Sequence, residues 1–116
     1  MKIFNIKDMK GGWYVGDFEP AAYNTKDFEV SYKLHSKGED WETHYHKESD
    51  EINFLVSGKL SIQGREINSG EIFIVPKYEI SDSIFLEDCH IVCVRTKSVV
   101  DDKYILPKEI LWRPVL

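Results

Sequence analysis

Short segments that alternate apolar and polar residues recur along this chain at intervals of about 8 to 14 residues. Phe28 to Leu34, Ile52 to Val56, Lys59 to Gln63, Ile72 to Val75 and His90 to Val94 are rich in β-branched and aromatic residues and read as strands. Turn residues fall between them at Ser36-Lys37-Gly38, Ser57-Gly58, Gly64-Arg65, Asn68-Ser69-Gly70 and Leu86-Glu87-Asp88. No segment in the middle of the chain carries a helical period. Many short strands at regular spacing predict an all-β fold, an antiparallel sandwich or barrel. The tail differs. Pro107 to Arg113 predicts a short helix that starts on Pro107 and is stopped by Pro114. With Ile105, Leu106, Ile110, Leu111 and Trp112, this tail is apolar enough to require docking on the barrel or on a partner subunit. Ahead of the first clear strand, Gly11-Gly12 predicts a turn before Trp13 and Tyr14.

Composition narrows the function classes. At 116 residues the chain is expected to form one domain spanning residues 1–116. Lys and Arg number 15 against 20 Asp and Glu, a net charge of −5. An acidic chain lacks the electrostatic footprint of a nucleic-acid binder or a partner of anionic lipid. Apolar runs such as Ile72 to Val75 are far short of the ~20 residues that span a bilayer, so no membrane association is expected. Lys2, Lys7, Asp8 and Lys10 break up any signal-peptide core, and the expected address is the cytoplasm. Cys89 and Cys93 lie four apart on one predicted strand, about 13 Å between α-carbons, too far for a disulfide. They are expected to be buried thiols.

The chemistry concentrates where three of the four histidines fall, between residues 35 and 46. His44 and His46 have the period-two spacing that points both rings to one face of a strand. Lys47 to Asp50 is polar and turn-like, so the chain can reverse and present Glu51 beside the pair at the start of the next strand. Two imidazoles and one carboxylate suit zinc, nickel, manganese or ferrous iron. If a metal binds, occupancy should fall below about pH 6 as the ligands protonate. The same three groups could instead hydrogen-bond an organic ligand or one another.

Gly38, His44, His46, Glu51 and Gly58 stand at the spacings of the first conserved motif of the cupin family, and Gly70 with Pro76 resembles the start of the second. The resemblance covers Phe28 to Arg95 (residues 28–95) and implies a jelly-roll β-barrel, commonly dimeric. The family pattern then calls for glycine at position 78 and a metal-binding histidine at position 81, where this chain has Tyr78 and Ser81. A fourth protein ligand is therefore missing. Asp82 would need a bulge to turn inward, and His90, on the following strand, is the other candidate replacement. A site of only three ligands resembles the facial sites of non-haem iron enzymes, with positions open to water or substrate.

Strand parity extends the picture. If Glu51 faces the barrel interior, Asn53, Leu55 and Ser57 share its face while Ile52, Phe54 and Val56 face out. Polar groups would then line a hydrated pocket for a small polar ligand, with Asn53, Trp41, Tyr78, Ser81 and His90 as candidate lining residues. The outward triplet would need cover from the terminal segments or a second subunit, which predicts a homodimer. Trp13, Tyr14, Trp41, Tyr45 and Tyr78 flank the motifs, and their expected role is packing, with sugar stacking as the alternative. Lys33 and His35 share a face expected to be solvated, the alternative being a pocket mouth that attracts an anion. Arg65 and Arg95 are expected at the surface. No glycine-rich phosphate loop or nucleophile elbow is present, so no nucleotide cofactor is expected. Three classes stay open, the first two being a cupin that binds a small polar, carbohydrate-derived or carboxylate ligand, and a dioxygenase or isomerase using His44, His46 and Glu51. A non-catalytic dimeric module is the third. Similarity to small cupins encoded beside surface-polysaccharide genes implies a sugar.

Overall fold

A computed structural model describes residues 1–107. Eleven strands account for its regular structure, and helix is confined to two 3₁₀ turns, Ile6–Asp8 and Lys10–Gly12. In chain order the strands are β1 (Trp13–Gly16), β2 (Tyr23–Asn24), β3 (Glu29–His35), β4 (His44–Tyr45), β5 (Glu51–Ser57), β6 (Lys59–Ile62), β7 (Arg65–Asn68), β8 (Ile72–Val75), β9 (Ile84–Phe85), β10 (Cys89–Arg95) and β11 (Tyr104–Ile105). They form sheets of order β2-β1-β3-β10-β5-β8, β7-β6-β9 and β11-β4. Every pairing is antiparallel except β1 with β2. The all-β, antiparallel jelly-roll expectation stands. The expected helix over Pro107 to Arg113, with Leu111 and Trp112, lies outside the described residues from position 108 onward.

β10 sits between β3 and β5 and pairs with both along its length. Registers align side chains into transverse rows on the inner face: Glu29–Arg95–Glu51, then Ser31–Cys93–Asn53, then Lys33–Ile91–Leu55. The inner face thus runs from charged through small and polar to a row in which Lys33 stands beside apolar Ile91 and Leu55. At its apolar end Leu55, Leu60, Ile62, Val75, Phe85, Cys89 and Ile91 form the core, with Trp41, Ile67 and Phe73 packed against it. The other sheets close over this core, since Leu60 and Ile62 come from β6 and Phe85 from β9.

The outer face is the reverse. Ile52 pairs with Val94 and Ile74, and Phe54 with Val92 and Ile72, so apolar side chains run side by side across three strands. Leu34, Ile72 and Ile74 are more than 60% exposed, and Ile52, Phe54 and Val56 about 40%. On β5 the alternation is as predicted as far as Leu55, while Ser57 is exposed.

A single residue, Gly58, links β5 to β6. Its φ of +104° lies where glycine is at ease and side chains are not, and a Cβ there would meet the Asp88 carbonyl oxygen at 2.3 Å. Gly70 also has positive φ, but open space surrounds it. Gly58→Ala should therefore cost about 3 kcal/mol and Gly70→Ala about 1 kcal/mol, read as shifts in the urea midpoint. Equal losses would show that the close approach at Gly58 is not what matters.

Candidate metal centre and its cavity

Period-two spacing places the rings of His44 and His46 on one side, as the sequence implies. Both are buried, with ring centroids 5.0 Å apart and planes at 78°. The turn that follows is held by Asp102, a residue with no signal in the sequence pattern. Its buried carboxylate accepts backbone N–H groups from Lys47 (2.9 Å), Glu48 (3.1 Å) and Ser49 (3.1 Å). Ser49 Oγ donates to the Lys97 carbonyl at 2.9 Å. The chain reverses here and delivers Glu51 to the first position of β5, beside the histidines. The ligand atoms of His44, His46 and Glu51 all lie within 4.8 Å of one another.

Backbone carbonyls fix both tautomers. His44 Nδ1 donates to the Glu42 carbonyl at 2.8 Å, and His46 Nδ1 donates to the Asp102 carbonyl. A carbonyl only accepts, so each Nδ1 carries a hydrogen and each neutral ring leaves Nε2 as a bare acceptor. His46 Nε2 faces Glu51 Oε2 at 3.1 Å. Acceptor therefore opposes acceptor, and a cation belongs between them: a proton on His46 or a metal ion. Imidazoles oriented by Nδ1–H bonds to carbonyls are the usual outer-shell arrangement of metal-binding histidines.

The electrostatics favour the ligand forms. Burial pushes the His44 pKa down to about 4, against smaller opposing effects of Glu42 and Glu51, so the ring is neutral near pH 7. Burial would raise the Glu51 pKa, but the contact with His46 and the charge of Arg95 outweigh it and hold the carboxyl at about 2. Arg95 Nε donates to Glu51 Oε2 at 3.3 Å and Nη1 to Glu29 Oε1 at 3.0 Å. Ser98 Oγ donates to the other Glu29 oxygen at 2.9 Å. The Cys93 thiol is pushed strongly upward by burial and by Glu51, so it stays protonated and is no thiolate ligand.

Below the triad the inner face opens into a cavity of about 60 Å³, room for a few waters or the reacting end of a small molecule. Trp41, Asn53 and Ser81 line it with His44 and Glu51. Ser81 sits against His44 through paired backbone bonds of 3.0 and 2.8 Å. Tyr78 and His90 are elsewhere. Tyr78 is exposed and stacks on Tyr45, and its φ of +66° is the left-handed conformation that the family's glycine would adopt freely. His90 falls on the outer parity of β10, where Nδ1 meets the Tyr32 hydroxyl at 2.7 Å. Asp82 turns away to accept the Gln63 N–H at 2.7 Å. Neither His90 nor Asp82 supplies a fourth ligand. Two further expectations are overturned. Lys33 and His35 are not a solvated face, and Arg95 is not a surface residue: all three line the cavity, because β3 turns its polar parity inward and Arg95 shares the inner row of Glu29 and Glu51.

The His44 pKa sets a direction for stability. Below pH 6.5 the unfolded chain protonates this ring, while the native ring resists until about pH 4, so native stability falls through that window. Glu51 adds a second loss between its ordinary 4.5 and about 2. In the metal-free protein His44 should contribute a loss of about 3 kcal/mol between pH 6.5 and 4. His44→Gln should remove that much of the slope in urea titrations run across this range, and an unchanged slope would contradict the burial argument. Proton competition at His44 thus begins well below the pH 6 expected from an unperturbed imidazole.

No protein-family model and no curated protein matches the sequence. Solved structures do match. An uncharacterized conserved protein with a double-stranded β-helix domain from Klebsiella pneumoniae is 18% identical with a TM-score of 0.60, covering 64% of this chain and 66% of that one, just short of two thirds. A cupin protein from Bacteroides fragilis is 21% identical with a TM-score of 0.54, covering 79% of this chain and 80% of that one. The polyketide cyclase RemF from Streptomyces resistomycificus is 15% identical with a TM-score of 0.60, covering 72% of this chain and 63% of that one. At these identities the likeness is one of architecture: the chain has the cupin, or double-stranded β-helix, fold.

Proposed function

We propose that this chain is a small single-domain cupin that holds a divalent metal at His44, His46 and Glu51 and takes a small polar ligand beside it. The observation that carries the reading is the apposition of His46 Nε2 and Glu51 Oε2, two acceptors 3.1 Å apart with both imidazoles oriented by backbone carbonyls. Adjacent ligands of one ion lie about that far apart when each bond is ~2.1 Å. With Ser81 where a fourth ligand would stand, coordination positions remain for water or ligand oxygen. A bound divalent ion supplies Lewis acidity there. Around it, the chain's own residues orient the imidazoles, keep the carboxylate ionised and limit the ligand's size. The Trp13 and Trp41 rings already carry cations, Lys33 and Arg95 over the first and Lys33 and Lys103 over the second, at 4.7 to 5.2 Å. That occupancy supports a charged small ligand over a stacked sugar. Catalysis as an isomerase or dioxygenase is the second reading, favoured by the three-ligand set, and a cyclase on the same fold shows the architecture hosting chemistry.

Metal analysis of protein purified without an affinity tag tests the reading. Wild-type protein should take up one equivalent of zinc, nickel or manganese. Saturation 100-fold above Kd should add about 2.7 kcal/mol of stability. His46→Ala should abolish uptake, and Ser81→His should tighten it by restoring a donor beside His44. Unchanged thermal midpoints with all three ions, and no gain from Ser81→His, would leave the triad as hydrogen-bonding groups only.

The outer sheet face supports a homodimer. Neither the 3₁₀ turns nor β1 covers Ile52, Phe54, Ile72 and Ile74, and a second copy laid on this face would bury them. Light scattering at micromolar concentration should report a dimer, and Phe54→Glu should yield monomer with metal uptake intact. A monomeric wild type would refute it.

A further inference from the structure

Between the triad and the apolar core lies the row Ser31–Cys93–Asn53, whose short side chains leave the cavity its room. Ser31 is fully buried, lines the cavity, and its Oγ has no hydrogen-bond partner among the described residues. A buried hydroxyl left unpaired is costly, and natural structures rarely tolerate one without a ligand or water to satisfy it. Asn53 is buried beside it, two residues along β5 from Glu51, and its amide makes no side-chain hydrogen bond among the described residues. Lys33 stands in the next row of the inner face, with Ile91 and Leu55, and lines the same cavity. Its ammonium lies 5.0 Å from the ring of Trp13, whose Cα pairs with Ser31, and 5.2 Å from the ring of Trp41, both of which line the same cavity as Ser31 and Asn53. The two carboxylates near the row are committed elsewhere, Glu51 to His46 and Arg95, and Glu29 to Arg95 and Ser98. Lys33 pairs with no carboxylate among the described residues. A half-buried cation, an orphaned hydroxyl and an unused amide therefore converge on one small volume beside the triad.

We propose that Lys33, Ser31 and Asn53 form a carboxylate subsite, so that the ligand is a short carboxylic acid carrying a second oxygen, such as a 2-oxo or 2-hydroxy group, directed at the triad. The subsite is independent of the metal, and only the role of the second oxygen rests on the metal reading. One monocation with two neutral donors matches a carboxylate's single charge and two oxygens. A phosphate dianion would want a further cation, and Arg95 is already engaged. The cavity of about 60 Å³ limits the ligand's buried end to a few heavy atoms.

The test titrates pyruvate, acetate, acetamide and inorganic phosphate into the purified chain by calorimetry, with and without manganese. Pyruvate should bind the manganese-loaded protein more tightly than acetate, and acetamide at least tenfold more weakly than acetate. Lys33→Gln should weaken pyruvate at least tenfold while manganese affinity changes by less than threefold, and Lys33→Arg should recover part of the loss. Ser31→Ala should act in opposite directions on two readouts: weaker pyruvate binding, by about fivefold, and a higher thermal midpoint without ligand, because the orphaned hydroxyl is gone. That pairing keeps the test decisive even if Lys33→Gln folds poorly. If manganese does not bind but acetate still binds in a Lys33-dependent way, the subsite stands and the metal reading falls. If carboxylates fail to bind wild type in either state, if Lys33→Gln and Ser31→Ala leave pyruvate affinity within twofold, or if phosphate binds tenfold more tightly than pyruvate, the subsite is wrong.

Discussion

The site depends on one acidic residue far along the chain. Asp102 uses both of its acceptor groups: the carboxylate gathers the N–H groups of Lys47, Glu48 and Ser49, and the carbonyl holds His46 Nδ1. The first interaction shapes the turn that brings Glu51 to the histidines. The second chooses the tautomer that turns His46 Nε2 toward Glu51. Orientation of a ring and placement of a carboxylate are thus one event. The residue before it, Asp101, adopts φ of +61°, a left-handed conformation that Asp tolerates better than most side chains.

The triad and strands β3, β5, β8 and β10 of the large sheet are legible because their signals are local. Spacing alone puts His44 and His46 on one side, and a polar tetrapeptide before Glu51 announces a reversal. The parity of β5 followed from Glu51 itself. β3 was misread because its apolar residues, Val30, Tyr32 and Leu34, suggest an inward face by the ordinary rule, whereas the barrel here keeps Glu29, Ser31, Lys33 and His35 inside. Once Glu51 is taken as interior, Arg95 and Glu29 follow only through the pairing of β10 with β5 and β3, a register that composition does not reveal. Asp102 carries no sequence signal because its work is done across 56 residues of chain. The two-residue strands β2, β9 and β11 have no signal in the sequence for a related reason: pairing across the fold defines them, and their own residues show no period.

The inner face also explains how one small barrel can be both stable and hollow. Leu55, Leu60, Ile62 and Phe85 close one end as a dry core, while the rows towards Glu51 become smaller and more polar. Charged groups at the open end satisfy one another in a chain that runs Ser98–Glu29–Arg95–Glu51–His46. Buried charge survives there because each member has a partner, and Arg95 is the link between the carboxylates. Neutralising Arg95 would leave two acidic side chains facing each other across the same row.

The long reach of Asp102 has a consequence for the history of each molecule. During synthesis His44, His46 and Glu51 leave the ribosome well before Asp102, and until it arrives nothing described here fixes the tautomer of His46 or the turn ahead of Glu51. β10, which joins β3 to β5, is also made late. Closing loops of this length is slow relative to local events, so the three side chains meet only in a barrel that is nearly finished. An ion could not template this fold as zinc templates a finger peptide. It would be recruited by a completed chain, and the identity of the ion would be settled by what the surroundings offer at that moment.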